Sequence, residues 1–127
     1  MRHKIIKLKG DVTVIKTKEE LKREVAGNGK GGIKLALTDL KNFPEVSDKL
    51  GMFSVAEVGY GEMVDYHVHE GDAELYYILE GTGLYDDNGE MKTVTPGTVT
   101  YTPNGCGHSI KNVGDGILKF IALIIKE

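Results

Sequence analysis

The amino-acid sequence predicts an all-β domain, built as an antiparallel sandwich or barrel. Most of the chain divides into short apolar stretches separated by Gly, Pro and Asn, a pattern typical of these folds. Within it, Asp87-Asn88-Gly89 is a strong hairpin signal, because Asn-Gly tolerates the positive φ angles that a tight two-residue turn requires. The length of 127 residues suits a single domain with its own core.

Strands are predicted along nearly the whole chain, each bounded by turn-forming residues. They are expected at residues 5–8, 12–15, 33–38, 52–58, 63–69, 74–80, 90–95, 98–101, 107–112 and 117–125. A further turn is expected at residues 114–116, where the sequence reads Gly-Asp-Gly.

One short helix is expected near the N-terminus. Thr17 and Glu20 match a capping box, Leu21 and Val25 share a helical face, and Gly27 is placed to end the helix.

The next segment, GNGKGG at residues 27–32, is interpreted as a flexible connector. A phosphate-binding loop would follow a strand and end in Lys-Ser or Lys-Thr, and this segment does neither. The chain is therefore predicted to divide into residues 1–32, with strands, the short helix and the connector, and residues 33–127, which form the barrel.

Composition argues against several classes of partner. The net charge of -3 does not favour nucleic acid, and no helix-turn-helix segment accompanies the strands. No apolar stretch approaches the length of a membrane span, and the N-terminus lacks the apolar core of a signal peptide. The single cysteine, Cys106, excludes an internal disulfide. These features predict a cytoplasmic protein.

Residues 61–81, GEMVDYHVHEGDAELYYILEG, contain the first candidate for chemistry. Alternate residues of a strand face the same side, so His67 and His69 are expected to point into one compartment. Glu74 opens the next strand, and a buried carboxylate without a cation would be unfavourable by several kcal/mol. A metal ion is the simplest partner for these groups.

The spacing in this stretch is specific. It reads Gly61, five residues, His67-x-His69, four residues, Glu74, six residues, Gly81. This resembles the first motif of the cupin family at every fixed position.

A second stretch carries a matching pattern. It reads Gly97, five residues, Pro103-x-Gly105, two residues, His108, three residues, Asn112, and it resembles the second cupin motif equally well. The two motifs stand in the right order and are separated by a short segment with a hairpin turn. The chain is therefore identified as similar to small single-domain cupins.

The resemblance implies a double-stranded β-helix, or jelly-roll barrel. It also implies one divalent transition metal ion held by His67, His69, Glu74 and His108. Mn, Fe, Co, Ni, Cu and Zn all suit imidazole and carboxylate ligands, so the sequence does not identify the metal. The alternative is a metal-free interior in which the histidines are hydrogen-bonded around Glu74. A homodimer is also expected by resemblance, with the apolar strand FIALII at 120–125 contributing.

Four protein ligands leave one or two coordination positions for water or substrate. A net positive site favours a chelating acid, a diketone or a sugar derivative. We therefore predict a metalloenzyme that acts on a polar, oxygen-rich metabolite by Lewis-acid or dioxygen chemistry; the alternative is a non-catalytic metal-dependent binding or sensing module. Only Arg2 and Arg23 occur in the chain, both before the barrel, which lowers the case for oxalate decarboxylase-like chemistry.

Two further residues are catalytic candidates. Asp65 shares the strand parity of His67, so it is either a base or outer partner at the site or an exposed acid at the barrel rim. Tyr76 shares the parity of Glu74 and either lines the pocket or fills the core.

Overall fold

The computed structural model describes residues 17–26, 33–37 and 44–127. These residues form ten strands in two antiparallel sheets, with one 3-10 turn and one four-residue helix. The all-β prediction is confirmed. The expected strands at 5–8 and 12–15 and the connector at 27–32 lie outside the described residues, and the division of the chain at residue 33 stays a prediction.

The larger sheet has six strands. They are β1 (Lys22–Ala26), β2 (Ile33–Leu37), β3 (Leu50–Val58), β5 (Asp72–Glu80), β8 (Val99–Thr102) and β10 (Leu118–Lys126). Their order across the sheet is β1-β2-β3-β10-β5-β8. Because β10 lies between β3 and β5, the C-terminal strand holds the centre of the sheet.

The smaller sheet has four strands. They are β4 (Met63–Val68), β6 (Gly83–Asp87), β7 (Glu90–Val94) and β9 (Gly107–Asn112). Their order is β4-β9-β6-β7. Neighbours distant in sequence, such as β4 and β9, are typical of a jelly roll, so the predicted cupin-type barrel is confirmed.

The core lies between the two sheets. On β5, Glu74, Tyr76 and Ile78 are buried while Tyr77 and Leu79 are exposed, as the predicted alternation requires. The largest fully buried apolar side chains are Phe120, Ile78, Ile110 and Leu118. Each contributes roughly 1.5–3 kcal/mol by leaving water. The interior is therefore apolar at one end and polar around Glu74.

The predicted hairpin is confirmed. Asn88 and Gly89 have φ angles of 51° and 102°, and Asp87 pairs with Glu90. The strand before this turn, β6, was not among the predicted strands. Its sequence GLYDD has little strand propensity, and pairing with β7 and β9 on its two sides establishes it instead.

The predicted N-terminal helix is wrong beyond its first turn. Thr17 and Glu20 do interact: the Thr17 amide donates to Glu20 Oε1 at 3.1 Å, and the turn is a 3-10 helix over Lys18–Glu20. Residues 22–26 then form β1 and pair with β2. A pairing between segments overrides the weak local helical pattern, because it supplies backbone hydrogen bonds along the whole length of the segment.

The second short helix, α1 (Pro44–Ser47), precedes β3 and was not predicted. No helix in the described ranges is long and apolar enough to cross a membrane.

The motif glycines occupy turns. Gly61, Gly81, Gly97 and Gly105 have φ angles of 73°, 88°, 90° and 89°, a region that side chains other than glycine enter at a steric cost. These turns determine where the neighbouring strands begin and hence where the histidines lie.

Candidate metal centre

The cluster draws on three strands and the turn after one of them. His67 on β4 stands directly opposite His108 on β9 in the smaller sheet. Glu74 projects from β5 in the facing sheet. His69 follows β4, where its amide donates to Cys106 O at 2.9 Å and its carbonyl accepts from the Gly105 amide at 2.7 Å. Both sheets therefore converge on one point.

Four ligand-type atoms meet at this point, all within 4.8 Å of one another. His108 Nε2 lies 3.1 Å from His69 Nε2 and 3.0 Å from His67 Nε2. Glu74 Oε1 lies 3.0 Å from the Nε2 atoms of His69 and His108 and 3.9 Å from that of His67. The predicted residues are thus brought together by the fold.

The opposite nitrogen of each ring has its own partner. His67 Nδ1 donates to the carbonyl of Asp65 at 2.8 Å, and His69 Nδ1 donates to Asp72 Oδ1 at 2.8 Å. A carbonyl and a carboxylate only accept. The neutral rings of His67 and His69 therefore carry their proton on Nδ1, which leaves Nε2 with a free lone pair.

The third ring contacts a pair of hydroxyl groups. His108 Nδ1 lies 2.7 Å from the Tyr85 hydroxyl and 2.9 Å from Thr102 Oγ1, and the two hydroxyls are 2.9 Å apart. Because a hydroxyl can accept as well as donate, this arrangement also suits a ring whose Nε2 is free to bind an ion.

The donor chemistry fits a cation. Three imidazole lone pairs and one carboxylate oxygen face each other at hydrogen-bonding distance, and lone pairs repel unless a proton or a metal ion lies between them. Imidazole nitrogen and carboxylate oxygen are common ligands of divalent transition metals. Each ring is also oriented by an outer hydrogen bond, as metal-binding histidines usually are.

The cluster is accessible from one side, because its four side chains are unequally buried. His69, Glu74 and His108 are 6%, 5% and 0% exposed, whereas the His67 side chain is 39% exposed. An ion held here would be closed off on the sides of Glu74 and His108 and reachable past His67.

Without a metal ion, the pKa values of the cluster's side chains are shifted in different directions. Burial alone would raise the pKa of the Glu74 carboxyl, but the neighbouring His108 and His67 rings outweigh burial and lower this pKa to about 2. The nearby Glu74 carboxylate, 3.9 Å from His67 Nε2, raises the pKa of His67 above its usual 6.5. Burial lowers the pKa of His108. Without metal, protonation is therefore favoured at His67, the more exposed ring, over His108.

This arrangement predicts a pH effect on stability. The Glu74 pKa is lower in the folded protein than its ordinary 4.5, so its ionised form stabilises the fold above that value and the contribution is lost as pH falls toward about 2. Between about pH 5 and pH 2.5, chelator-treated wild type should lose up to about 3 kcal/mol of unfolding free energy relative to Glu74→Gln. Denaturant titrations across this range measure the difference, and a pH-independent difference would contradict it.

Asp65 is exposed and lies in an irregular part of β4. Val64 pairs with Ile110 and His67 with His108. An advance of three residues along β4 therefore corresponds to an advance of only two residues along β9. Because of this β-bulge, Val64, which packs on the core, and His67 face the same side of the sheet although they are three residues apart. The carbonyl of Asp65, rather than its carboxylate, is what contacts His67. A catalytic role for Asp65 stays a prediction.

Tyr76 lies inside the barrel at 3% exposure. Its ring stacks on His108 with centroids 4.9 Å apart and packs against Phe120 at 4.3 Å. Burial, followed by the nearby Glu74 charge, raises the pKa of its hydroxyl well above the usual value. Tyr76 therefore packs behind the cluster as part of the core. A catalytic role for Tyr76 stays a prediction.

Sequence reasoning missed the outer partners of the histidines. Asp72, Tyr85 and Thr102 contact the ring nitrogens, but they come from three different strands. The only signal in the sequence is the proximity of Asp72 to His69, which are three residues apart across Gly71.

The sequence of the barrel matches a known protein family. The sequence profile of the family described as Cupin domain matches residues 54–124, which span both motifs and the central strand β10. The chain belongs to the cupin family. All four residues of the His-and-Glu cluster of this cupin lie within the matched range.

Several relatives are similar to this cupin over most of their length. An "Oxalate-binding protein" from Thermotoga maritima is 38% identical over 97 residues, covering 76% of this chain and 78% of its own. A crystal structure of a predicted oxalate decarboxylase from Thermotoga maritima superposes with a TM-score of 0.79 at 32% identity, covering 90% of this chain and 100% of its own. An RmlC-like cupin from Shewanella frigidimarina, at 19% identity and a TM-score of 0.70, covers 91% of this chain and 93% of its own, and it supports the fold alone.

Proposed function

We propose that this cupin binds one divalent transition metal ion through His67, His69, Glu74 and His108, and that the ion in turn holds a small chelating anion of the oxalate class. The observation that carries this is the convergence of three imidazole lone pairs and one carboxylate oxygen at 3.0 to 3.9 Å. Mn, Fe, Co, Ni, Cu and Zn all remain candidates.

The net charge of the metal-loaded site and its partial exposure both favour a chelating anion. A divalent ion with three neutral imidazoles and one carboxylate keeps a net charge of about +1, which attracts a dianion. Oxalate presents two oxygens that close a five-membered ring with a metal. The exposed side of His67 offers an approach, and the name of the Thermotoga maritima relative supports oxalate as the ligand to test.

Binding is better supported than decarboxylation. The side chain of Arg23, the one arginine in the described ranges, is exposed and donates to Lys18 O at 2.7 Å, so it does not clamp a ligand in the barrel. Asp72 and Tyr85, which lie beside the cluster, are already hydrogen-bonded to histidines. These groups orient ligands rather than serve as a free acid or base.

Calorimetry with oxalate tests the proposal. Metal-loaded protein should bind oxalate, chelator-treated protein should not, and acetate should bind far more weakly because it cannot close a chelate ring. Equal binding of oxalate with and without metal, or of acetate and oxalate to the loaded form, would overturn it.

A metalloenzyme using Lewis-acid or dioxygen chemistry is the second candidate. It is favoured by the partial exposure of His67, since a reactive centre needs a coordination position that substrate can reach. Release of carbon dioxide, or uptake of oxygen, by metal-loaded protein with chelating acids would support it. Asp65→Asn should then reduce turnover if the carboxylate acts as the base, and unchanged turnover would exclude that role.

We also propose that the chain forms a homodimer through the outer face of the six-stranded sheet. Two neighbouring rows of apolar side chains cross β3, β10, β5 and β8 in register. This outer apolar face consists of Phe53, Val55, Leu75, Tyr77, Val99, Tyr101, Ile121 and Leu123. Tyr77, Val99 and Tyr101 are 46%, 56% and 56% exposed, and a continuous apolar patch of this kind is typical of an interface.

The second copy is the best occupant of this face. A two-fold interface brings the same patch of each subunit together, so an uncharged face meets an uncharged face. Residues 1–16 of the same chain would bring Arg2, Lys4, Lys7, Lys9 and Lys16, for which the outer apolar face has no charged partner.

Sedimentation equilibrium should give a dimer for wild type and a monomer for Tyr77→Lys. Met91→Lys is the matched control, because Met91 is 53% exposed on β7 of the other sheet, and it should remain a dimer. A monomeric wild type would contradict the proposal and leave residues 1–16 as the cover of the face.

A cytoplasmic location without a nucleic-acid partner is proposed as well. It is supported by the single cysteine, which allows no internal disulfide, and by the net charge of -3.

A further inference from the structure

Asp72 and His69 are joined across a tight turn. The Asp72 carboxylate accepts a hydrogen bond from His69 Nδ1 at 2.8 Å, with the His69 side chain 7% and the Asp72 side chain 30% exposed. Gly71 between them has a φ angle of 81°, which lets the chain reverse and bring the carboxylate onto the ring.

This turn is held from two sides. The Gly71 amide donates to Asn104 Oδ1 at 2.9 Å, and the Gly71 carbonyl accepts from the Glu127 amide at 3.0 Å. The His69 carbonyl also accepts from Gly105 at 2.7 Å. The relative placement of ring and carboxylate is therefore a property of the fold and not of one mobile side chain.

The three histidines differ in the charge of their outer partners. His67 donates to a neutral carbonyl, and His108 contacts two neutral hydroxyls. His69 alone among these three rings has a carboxylate as the partner of its Nδ1 atom. A carboxylate on Nδ1 holds the proton there, orients the ring and increases the electron density that Nε2 offers a metal.

We propose that Asp72 is a positioning residue that makes His69 the strongest imidazole ligand of the centre and thereby raises its affinity for a divalent cation. The inference rests on the proposed metal-binding function and extends it to a residue at an unspecified position of the first cupin motif, between His69 and Glu74. Asp72 acts through His69 and does not itself touch the ion.

Zinc binding by Asp72→Asn tests the role. The substitution keeps the shape of the side chain and removes its charge. In competition with a chromophoric chelator, the dissociation constant for Zn²⁺ should rise about 10- to 100-fold, the usual effect of removing an outer partner. Asp115→Asn makes the same change of net charge in the exposed turn before β10 and should bind as wild type does. Equal affinity of Asp72→Asn and wild type would overturn the proposal.

A second measurement separates positioning from a general loss of structure. In metal-free protein at pH 8, the ¹⁵N shifts of the His69 ring should report the Nδ1–H tautomer in wild type and a mixture of tautomers in Asp72→Asn, with unchanged far-UV circular dichroism. Identical ring shifts in both proteins would overturn the role of Asp72. Wild type that takes up no zinc would overturn the proposed function instead, and the ring shifts would still decide whether Asp72 controls the tautomer.

Discussion

Replacing Glu74 with alanine is expected to abolish metal binding. Glu74 Oε1 lies 3.0 Å from two of the three imidazole nitrogens, and it supplies the one negative charge among the four groups. Without it, three neutral rings would have to hold a dication in a buried site. Affinity should fall by well over the roughly 100-fold lost when only an outer partner is removed. Elemental analysis of purified wild type should find about one divalent ion per chain, and the variant almost none.

Two further variants complete this experiment. His67→Ala removes the most exposed ligand and should also empty the site. Glu90→Ala removes an exposed carboxylate from the hairpin at the start of β7 and should keep its metal. If wild type, Glu74→Ala and His67→Ala carry the same trace of metal, the metal-free interior considered from the sequence is the correct interpretation.

Replacing Gly81 with alanine is expected to destabilise the protein severely. A Cβ at this position would lie 2.5 Å from Ile117 O and 2.9 Å from Leu118 Cα. Both are backbone atoms that lead into the buried strand β10, so neither can move aside as a flexible side chain would. The φ angle of 88° adds a steric penalty of its own. The expected loss is on the order of 3–5 kcal/mol, measured by denaturant unfolding of the metal-free protein.

Gly97→Ala is the matched control for this prediction. Gly97 has nearly the same φ angle, 90°, but a Cβ there would meet no atom within 4 Å. It should therefore lose only the conformational penalty of about 1–2 kcal/mol. Equal losses in the two variants would mean that contact with β10 is not what makes Gly81 necessary.

Local signals predicted the parts of this fold that local chemistry controls. Positive φ at Gly61 and Gly105 and the Asn88-Gly89 hairpin follow from what these residue types do at turns. The inward set on β5, including Glu74 and Tyr76, follows from strand alternation, because residues 74–77 pair without a register shift on both sides.

Predictions failed where pairing with another segment decided the outcome. Residues 22–26 became β1 because β2 pairs with them, although Thr17 and Glu20 form the expected local contact. Strand alternation also failed between Val64 and His67, since an extra residue on β4 shifts the register against β9. Neither the pairing partner nor the bulge can be recognised from residue types alone.

By itself, the sequence determined which four side chains form the candidate metal centre, because the spacing of His67, His69, Glu74 and His108 within two motifs is already specific. Only the tertiary structure decided how each ring is oriented. The carboxylate of Asp72 reaches His69 through a turn clamped by other segments, and the hydroxyl of Tyr85 reaches His108 from the neighbouring strand. The tertiary structure also decided that apolar residues of four strands lie together on one outer face. Such contacts depend on register between segments far apart in the chain, and register is an outcome of the whole packed barrel.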